Sequence, residues 1–247
     1  MTTTTKIEWT EQTWNATTGC TKISPGCKHC YAETMAKRLR AMGTPGYENG
    51  FALTLMPERL DEPLRRRKPT MYFVNSMSDV FHQKVPFSYV DRIFETIEKT
   101  PQHTYQVLTK RADRMADYFA SRTAPTNAWL GVSVENRRYG LPRIDLLRDI
   151  KATVRFLSIE PLLEGLGPIN LAGIHWVIVG GESGPKARPM KLEWLDDVSR
   201  QRRDARVAFF FKQWGVWGAD GERRSKRSNG REFQGRTWDE MPVHAVA

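Results

Sequence analysis

Cysteine is scarce in this chain: three residues in 247, all between positions 20 and 30. So small and odd a set cannot build a disulfide framework, and clustered thiols of this kind read as metal ligands or redox groups. Long apolar runs are also missing, and nothing approaches the roughly 20 residues of a membrane span. The opening "MTTTTKIEWTEQ" has no basic patch followed by an apolar stretch, so no signal peptide is expected and the cytoplasm is the expected compartment. There is no internal repeat and no long linker. Neither a G-x-G-x-x-G run nor a Walker lysine-serine pair occurs, and "GGESG" at 180–184 matches a nucleotide loop poorly.

Acidic charge is in short supply as well. Lys and Arg number 38 against 28 Asp and Glu, a net charge of +10. The surplus is clustered at Arg65-Arg66-Arg67-Lys68, Lys110-Arg111, Arg137-Arg138, Arg200 with Arg202-Arg203, and Arg223-Arg224 with Lys226-Arg227. A polyanion is the natural partner, because each cation set against a phosphate releases condensed counterions. Nucleic acid is therefore expected, against the blander alternative of a solvated basic surface.

What the chain does have is a β-α alternation. Segments rich in β-branched and aromatic residues read as strands at 70–79, 104–111, 128–136, 153–161, 175–184 and 207–215. The first strand is less distinct and falls at 6–9 or 12–17. Helices are expected at 32–42, with Ala32, Met35, Ala36, Leu39 and Met42 on one face, and at 88–100, with Val90, Ile93, Phe94 and Ile97. Shorter helices are expected at 112–121, 138–150 and 191–204. Strands apolar on both faces alternating with helices predict an α/β fold with a parallel sheet, a partial TIM barrel of the (β/α)6 type. The barrel is expected over 1–215, with a basic, aromatic extension at 216–247 packed on it.

Polar residues collect at the C-terminal ends of the expected strands, where parallel α/β folds build their sites. They are Asn75, Ser76, Ser78 and Asp79; Thr109, Lys110 and Arg111; Ser133, Glu135 and Asn136; Ser158 and Glu160; Glu182 and Ser183; Lys212, Gln213 and Trp214. Glu160 and Glu182 read either as an acid–base pair or as structural carboxylates paired with arginine. In the C-terminal stretch, Trp214, Trp217, Phe233 and Trp238 either stack on bases or cover the barrel, while Arg223, Arg224, Lys226 and Arg227 suit phosphates.

The cysteines Cys20, Cys27 and Cys30 are spaced C-x6-C-x2-C. Zinc needs a fourth ligand from His29, His82 or His103, and His29 lacks the usual finger spacing. An iron–sulfur cubane held by three thiolates keeps one iron open for a cofactor or substrate. Redox thiols are the third reading.

A cysteine loop after the first strand and before an amphipathic helix resembles the radical S-adenosylmethionine (SAM) enzymes. That resemblance implies a [4Fe-4S] cluster on the three cysteines, with SAM chelating the fourth iron and yielding a 5′-deoxyadenosyl radical. The family's spacing is C-x3-C-x2-C, so the first interval here is three residues longer. His29 stands where the family places an aromatic residue near adenine, and Tyr31 follows. Over most of the chain, "IEWTEQTWNATTGCTKISPGCKHCYAE", "FVNSMSDVFH", "VLTKR", "LGVSVEN", "FLSIEPLLEG" and "VIVGGESG" resemble a family of phage and bacterial proteins. It looks like a divergent radical-SAM branch, distantly similar to spore photoproduct lyases.

The resemblance implies SAM contacts at His29, Tyr31, Asn75, Ser76, Asp79, Lys110, Ser133, Glu135 and Glu182. Asp79 alternatively caps a helix, and Lys110 with Arg111 alternatively meets phosphate. The glycines of "GGESG" would let adenine or substrate backbone approach closely. Lyases of this type often quench the substrate radical with a cysteine thiol. Here the cysteines are committed, leaving Tyr31, Tyr72, Tyr105 or SAM itself as donor. The implied partners are nucleic acid, DNA foremost, and a reductase or flavodoxin-type electron donor. The implied activity is DNA repair of the photoproduct-lyase kind or base modification. RNA or protein modification, and a non-catalytic zinc-stabilised nucleic-acid-binding module, are the alternatives.

Overall fold

Short runs of β-branched and aromatic residues, each followed by an amphipathic helix, set the architecture. The computed structural model describes residues 5 and 7–242; Lys6, in the earlier of the two alternatives for the first strand, and residues 243–247 of the expected extension lie outside them. The elements in order are β1 (Gln12–Trp14), β2 (Thr17–Thr18), α1 (Tyr31–Ala41), β3 (Thr54–Leu55), β4 (Met71–Val74), α2 (Phe87–Glu98), β5 (Thr104–Thr109) and α3 (Ala112–Phe119). Then come β6 (Ala128–Ser133), α4 (Arg137–Arg148), β7 (Val154–Ile159), β8 (Trp176–Gly180), α5 (Leu192–Asp204), β9 (Ala208–Gln213) and α6 (Lys226–Asn229). The expected strands and five helices are all present, several with shorter ends. The first strand is interrupted at Asn15–Ala16, so β1 and β2 join different sheets.

The main sheet has seven strands in the order β1-β4-β5-β6-β7-β8-β9. Strand order that follows chain order, with parallel strands and helical crossovers, is the topology of a partial (β/α) barrel. The second sheet is only the β2–β3 pair. Among the described residues, no helix is long and apolar enough to cross a membrane.

The chain forms two compact units. The first holds the residues up to Ile23, Cys30–Leu130 and Ile150–Thr153; the second holds Ser24–His29, Gly131–Asp149 and Val154 onward.

In the first unit β1, β4 and β5 pair in parallel, with Phe73 opposite Thr13 on one side and Gln106 on the other. Its core includes Trp14, Tyr72 and Tyr105, all without solvent access. The apolar face of α2 (Val90, Ile93, Phe94, Ile97) is buried as its spacing predicts. On α1 only Ala32 and Ala36 are buried, with Leu39 packed partly against them. Met35 and Met42 of the expected face are exposed, Met42 at 75%.

In the second unit β7, β8 and β9 pair in parallel. The C-terminal segment then turns back along β9: Phe211 N–H donates to Trp238 O at 2.9 Å and Glu240 N–H to Phe209 O at 3.1 Å. It thereby covers an edge that would otherwise display unpaired backbone groups. Trp214, Phe233 and Trp238 pack with Phe209 and Phe211, and Arg202 and Arg236 lie over the Trp238 ring. These aromatics serve the fold. Base stacking by Trp214, Phe233 and Trp238 is not supported, because their rings are already occupied.

Gly181, in "GGESG", makes a backbone approach rather than a phosphate loop. A Cβ there would fall 1.9 Å from Trp214 O, far inside any tolerable contact. Gly181→Ala is expected to force β8 and β9 apart and cost about 2–4 kcal/mol, read as a lower urea midpoint at unchanged denaturant slope.

Candidate functional site

The first two cysteines of the run lie in different units. Cys20 and Cys30 belong to the first and Cys27 to the second. None of the three forms a disulfide, and all are partly exposed. Among the described residues, no three His, Cys, Asp or Glu side chains already converge on a point able to hold a metal ion. Three unoxidised thiols on one short loop nevertheless have the donor chemistry that iron or zinc would take.

Cys20 is held by its backbone and from beside its sulfur. Its N–H donates to Phe51 O at 3.1 Å, the Gly19 N–H to Met77 O at 3.1 Å, and the Ser78 hydroxyl to Gly19 O at 2.6 Å. The Arg111 guanidinium donates through Nη1 to Cys20 Sγ at 3.6 Å and to Asp79 Oδ2 at 2.9 Å. Its Nη2 donates to Thr21 O at 3.0 Å and Thr21 Oγ1 at 3.1 Å. Arg111 is only 6% exposed. Burial works against its charge, yet Asp79 and the Cys20 sulfur together raise its pKa above the ordinary arginine value.

This corrects two expectations. Arg111 cannot reach phosphate from a buried site where Asp79, Thr21 and Cys20 take its donors. Asp79 is likewise committed: Oδ1 accepts from Phe81 N–H and the Thr109 hydroxyl, Oδ2 from Lys110 N–H and Arg111. Asp79 does not cap the next helix either, whose N-cap is Pro86; it organises the turn after β4, and no SAM contact is needed to explain it.

Asn75 is also structural. It sits at φ 57°, a region asparagine tolerates, while its side chain accepts from Thr17 N–H and donates to Thr17 Oγ1. Ser76 donates to Asn15 Oδ1 at 3.2 Å, and its carbonyl accepts from the Tyr31 hydroxyl. Tyr31, at the start of α1, is 58% exposed. Tyr72 and Tyr105 are not: each is the second residue of its strand, and the two rings stack at 5.4 Å in the core. The Tyr105 hydroxyl also pairs with Thr100 Oγ1 at 2.6 Å, so neither tyrosine fits a hydrogen donor to substrate. Of the three, Tyr31 alone is solvent-accessible.

Cys27 sits in a turn of 3-10 helix, Pro25–Cys27, with the Ser24 hydroxyl 3.7 Å from its sulfur. Arg188 donates to Pro25 O at 3.1 Å while forking onto Glu182 at 2.6 and 2.9 Å. Burial opposes ionisation of Glu182, but Arg188 holds its carboxyl below the usual range, with His29 adding to the effect. Beneath the turn, a Cβ on Gly26 would come within 3.1–3.2 Å of the Glu135 side chain. Glu135 is fully buried and paired with Arg143 at 2.6 Å, and Arg143 also donates to Ser133 O. Glu160 pairs with Lys212 at 3.1 Å. The carboxylates therefore take the structural reading, each with its own cation, and Glu135 and Glu182 are not open to SAM.

Arg143, Arg188 and Lys212 are the residues that sequence reasoning missed in these roles. Cation clusters were visible, but the partner of each depends on tertiary pairing that no spacing encodes. Of the basic C-terminal residues, Arg224 forks onto Asp220 and Arg223 donates to Pro185 O, while Lys226 and Arg227 are exposed on α6.

A family model described as "Protein of unknown function (DUF5131)" matches residues 4–242. The chain belongs to the DUF5131 family. No curated protein matches it. Among solved structures, this DUF5131 chain resembles a cysteine-to-alanine mutant of spore photoproduct lyase at TM-score 0.57 and 12% identity, covering 86% of this chain and 78% of the other. A tyrosine-to-phenylalanine mutant gives TM-score 0.53 and 12% identity, over 87% and 79%. A cysteine-to-alanine mutant with dinucleoside spore photoproduct gives 0.52 and 14%, over 82% of this chain and 63% of that one. At these identities the likeness is one of fold.

His82 offers a pH test of the loop that carries Cys20. Its Nδ1 accepts from Lys84 N–H at 3.1 Å, so the neutral ring's Nε2–H faces Thr21 Oγ1 at 3.0 Å. Burial, then Arg111, hold its pKa below the ordinary histidine value, against the smaller pull of Asp79. The unfolded chain therefore takes up this proton first as pH falls. The stability contributed by the neutral ring is full above about pH 6.5 and is lost as pH falls through the native value. Melting temperature is expected to drop less between about pH 7.5 and 5 in His82→Gln than in the unaltered chain. Equal slopes would show that His82 does not titrate this way.

Proposed function

We propose that this protein is a radical-SAM enzyme acting on nucleic acid, with repair of a pyrimidine photoproduct in DNA as its most concrete form. The observation that carries the reading is the run of three cysteines, none in a disulfide, placed after the first strand of a parallel (β/α) sheet. The fold likeness to spore photoproduct lyase supports it, as does the excess of positive charge.

Cys20, Cys27 and Cys30 would hold a [4Fe-4S] cluster, the odd fourth site being where SAM binds. The cluster and SAM together would supply the reductive cleavage that generates an organic radical. The chain's own residues position and shield. Arg111 and Arg188 tie down opposite ends of the Cys20–Cys27 interval through Thr21 and Pro25. Tyr31, Ser76 and Lys110 are the SAM-facing candidates left once Asn75, Asp79, Glu135 and Glu182 are assigned to the fold. His29 and Ser133 stay as candidates, the Ser133 carbonyl being taken by Arg143. Tyr31 is the remaining tyrosine donor. Lys226 and Arg227 on α6 are the phosphate contacts, and an electron donor of the reductase or flavodoxin type would complete the system.

Anaerobic reconstitution is expected to load about four irons and four sulfides per chain and to release 5′-deoxyadenosine from SAM under a low-potential reductant. Alanine at any of the three cysteines should lower that release at least about a hundredfold. Stoichiometric zinc without SAM cleavage would overturn the reading. Turnover on ultraviolet-irradiated DNA, but not on unirradiated DNA or tRNA, is the expected substrate pattern.

Replacing both Lys226 and Arg227 by alanine is expected to weaken DNA binding about tenfold at low salt and to reduce the salt slope by about 2. Unchanged binding would move the interface elsewhere.

A further inference from the structure

Within the first unit, the two cysteine sulfurs have unlike surroundings. Cys30 precedes α1 and packs against the apolar cluster of Ala32, Ala36, Tyr47 and Met77. Cys20 instead faces a guanidinium that is buried, already bonded to Asp79, and clamped onto the next residue through both Thr21 oxygens. A side chain fixed at four acceptors cannot swing away as an exposed arginine would. Its charge is a permanent feature of the Cys20 environment, moderated by Asp79.

We infer that Arg111 is a positioning residue that orients Cys20 and sets the electrostatic bias of its sulfur, raising the reduction potential of a cluster bound through it. The inference rests on the radical-SAM reading and deepens it. One-electron reduction adds a negative charge to the cluster and its thiolates, and a cation donating to one of those sulfurs favours the reduced form. Asp79 works in the opposite sense, because its carboxylate partly neutralises the same guanidinium. The pair therefore makes a prediction that a purely structural latch does not: removing its two charges should move the potential in opposite directions.

The test is a spectroscopic redox titration of reconstituted protein with dithionite as the one-electron reductant. Arg111→Gln is expected to lower the potential by about a tenfold change in the reduction equilibrium, ~59 mV. Asp79→Asn is expected to raise it, and Arg111→Lys to fall between the Gln variant and the unaltered protein. Equal potentials, or shifts of one sign in both charge-removing variants, would overturn the inference.

A second readout needs no cluster. In the reduced, metal-free chain, iodoacetamide labelling at neutral pH is compared at Cys20, Cys27 and Cys30 by mass spectrometry. Arg111→Gln should cut the Cys20 share severalfold, with partial recovery in Arg111→Lys; an unchanged share would also overturn the inference. Failure of the unaltered chain to take up iron would count against the radical-SAM reading, whereas the labelling ratio would still decide the Arg111 contact.

Discussion

A guanidinium withdrawn from water must find acceptors for its N–H groups and a counter-charge for itself, or the fold that buries it fails. Arg111 meets both needs at once. Asp79 supplies the charge, Thr21 two oxygens and Cys20 a soft acceptor. The Asp79 carboxylate is in turn occupied by the backbone and side chains of the turns after β4 and β5. Residues distant in sequence are thereby made to agree on where the cysteine loop begins. Losing one member of such a buried pair costs about 3–5 kcal/mol, which explains why the ends of these strands carry charged residues with no exposed role.

The same economy recurs in the second unit. Glu135 with Arg143, Glu182 with Arg188 and Glu160 with Lys212 are three carboxylates, each matched to one cation. Arg188 also reaches the carbonyl of Pro25 and so steadies the turn that presents Cys27. The six residues between Cys20 and Cys27 are thus not slack. They hold a proline-started 3-10 turn, a glycine seated against Glu135, and a carbonyl pinned by arginine.

Elements were legible in the sequence where a local rule governs them. Period-3.6 spacing located the buried face of α2, and β-branched runs located β5 through β9, because both patterns depend on neighbours along the chain. The rule failed on α1, where Met35 and Met42 share a helical face with Ala32 but point to solvent. Spacing says nothing of the role of Tyr72 and Tyr105, which are stacked core rather than hydrogen donors. Hydroxyl groups on aromatic rings look alike in a sequence whether they end in a pocket or in the interior.

The parallel β-α order, the three thiols on one short loop and the positive charge are all local properties of the chain. Each follows from residue type and spacing alone. Which polar strand ends are spoken for follows from the packed chain instead: Asn75, Asp79, Glu135 and Glu182 are bonded within the fold, and Arg111 is the buried neighbour of Cys20. The physical reason is that a charge's role depends on its partner and its access to water. Both are set by chain segments that in these cases lie from 6 to more than 160 residues apart.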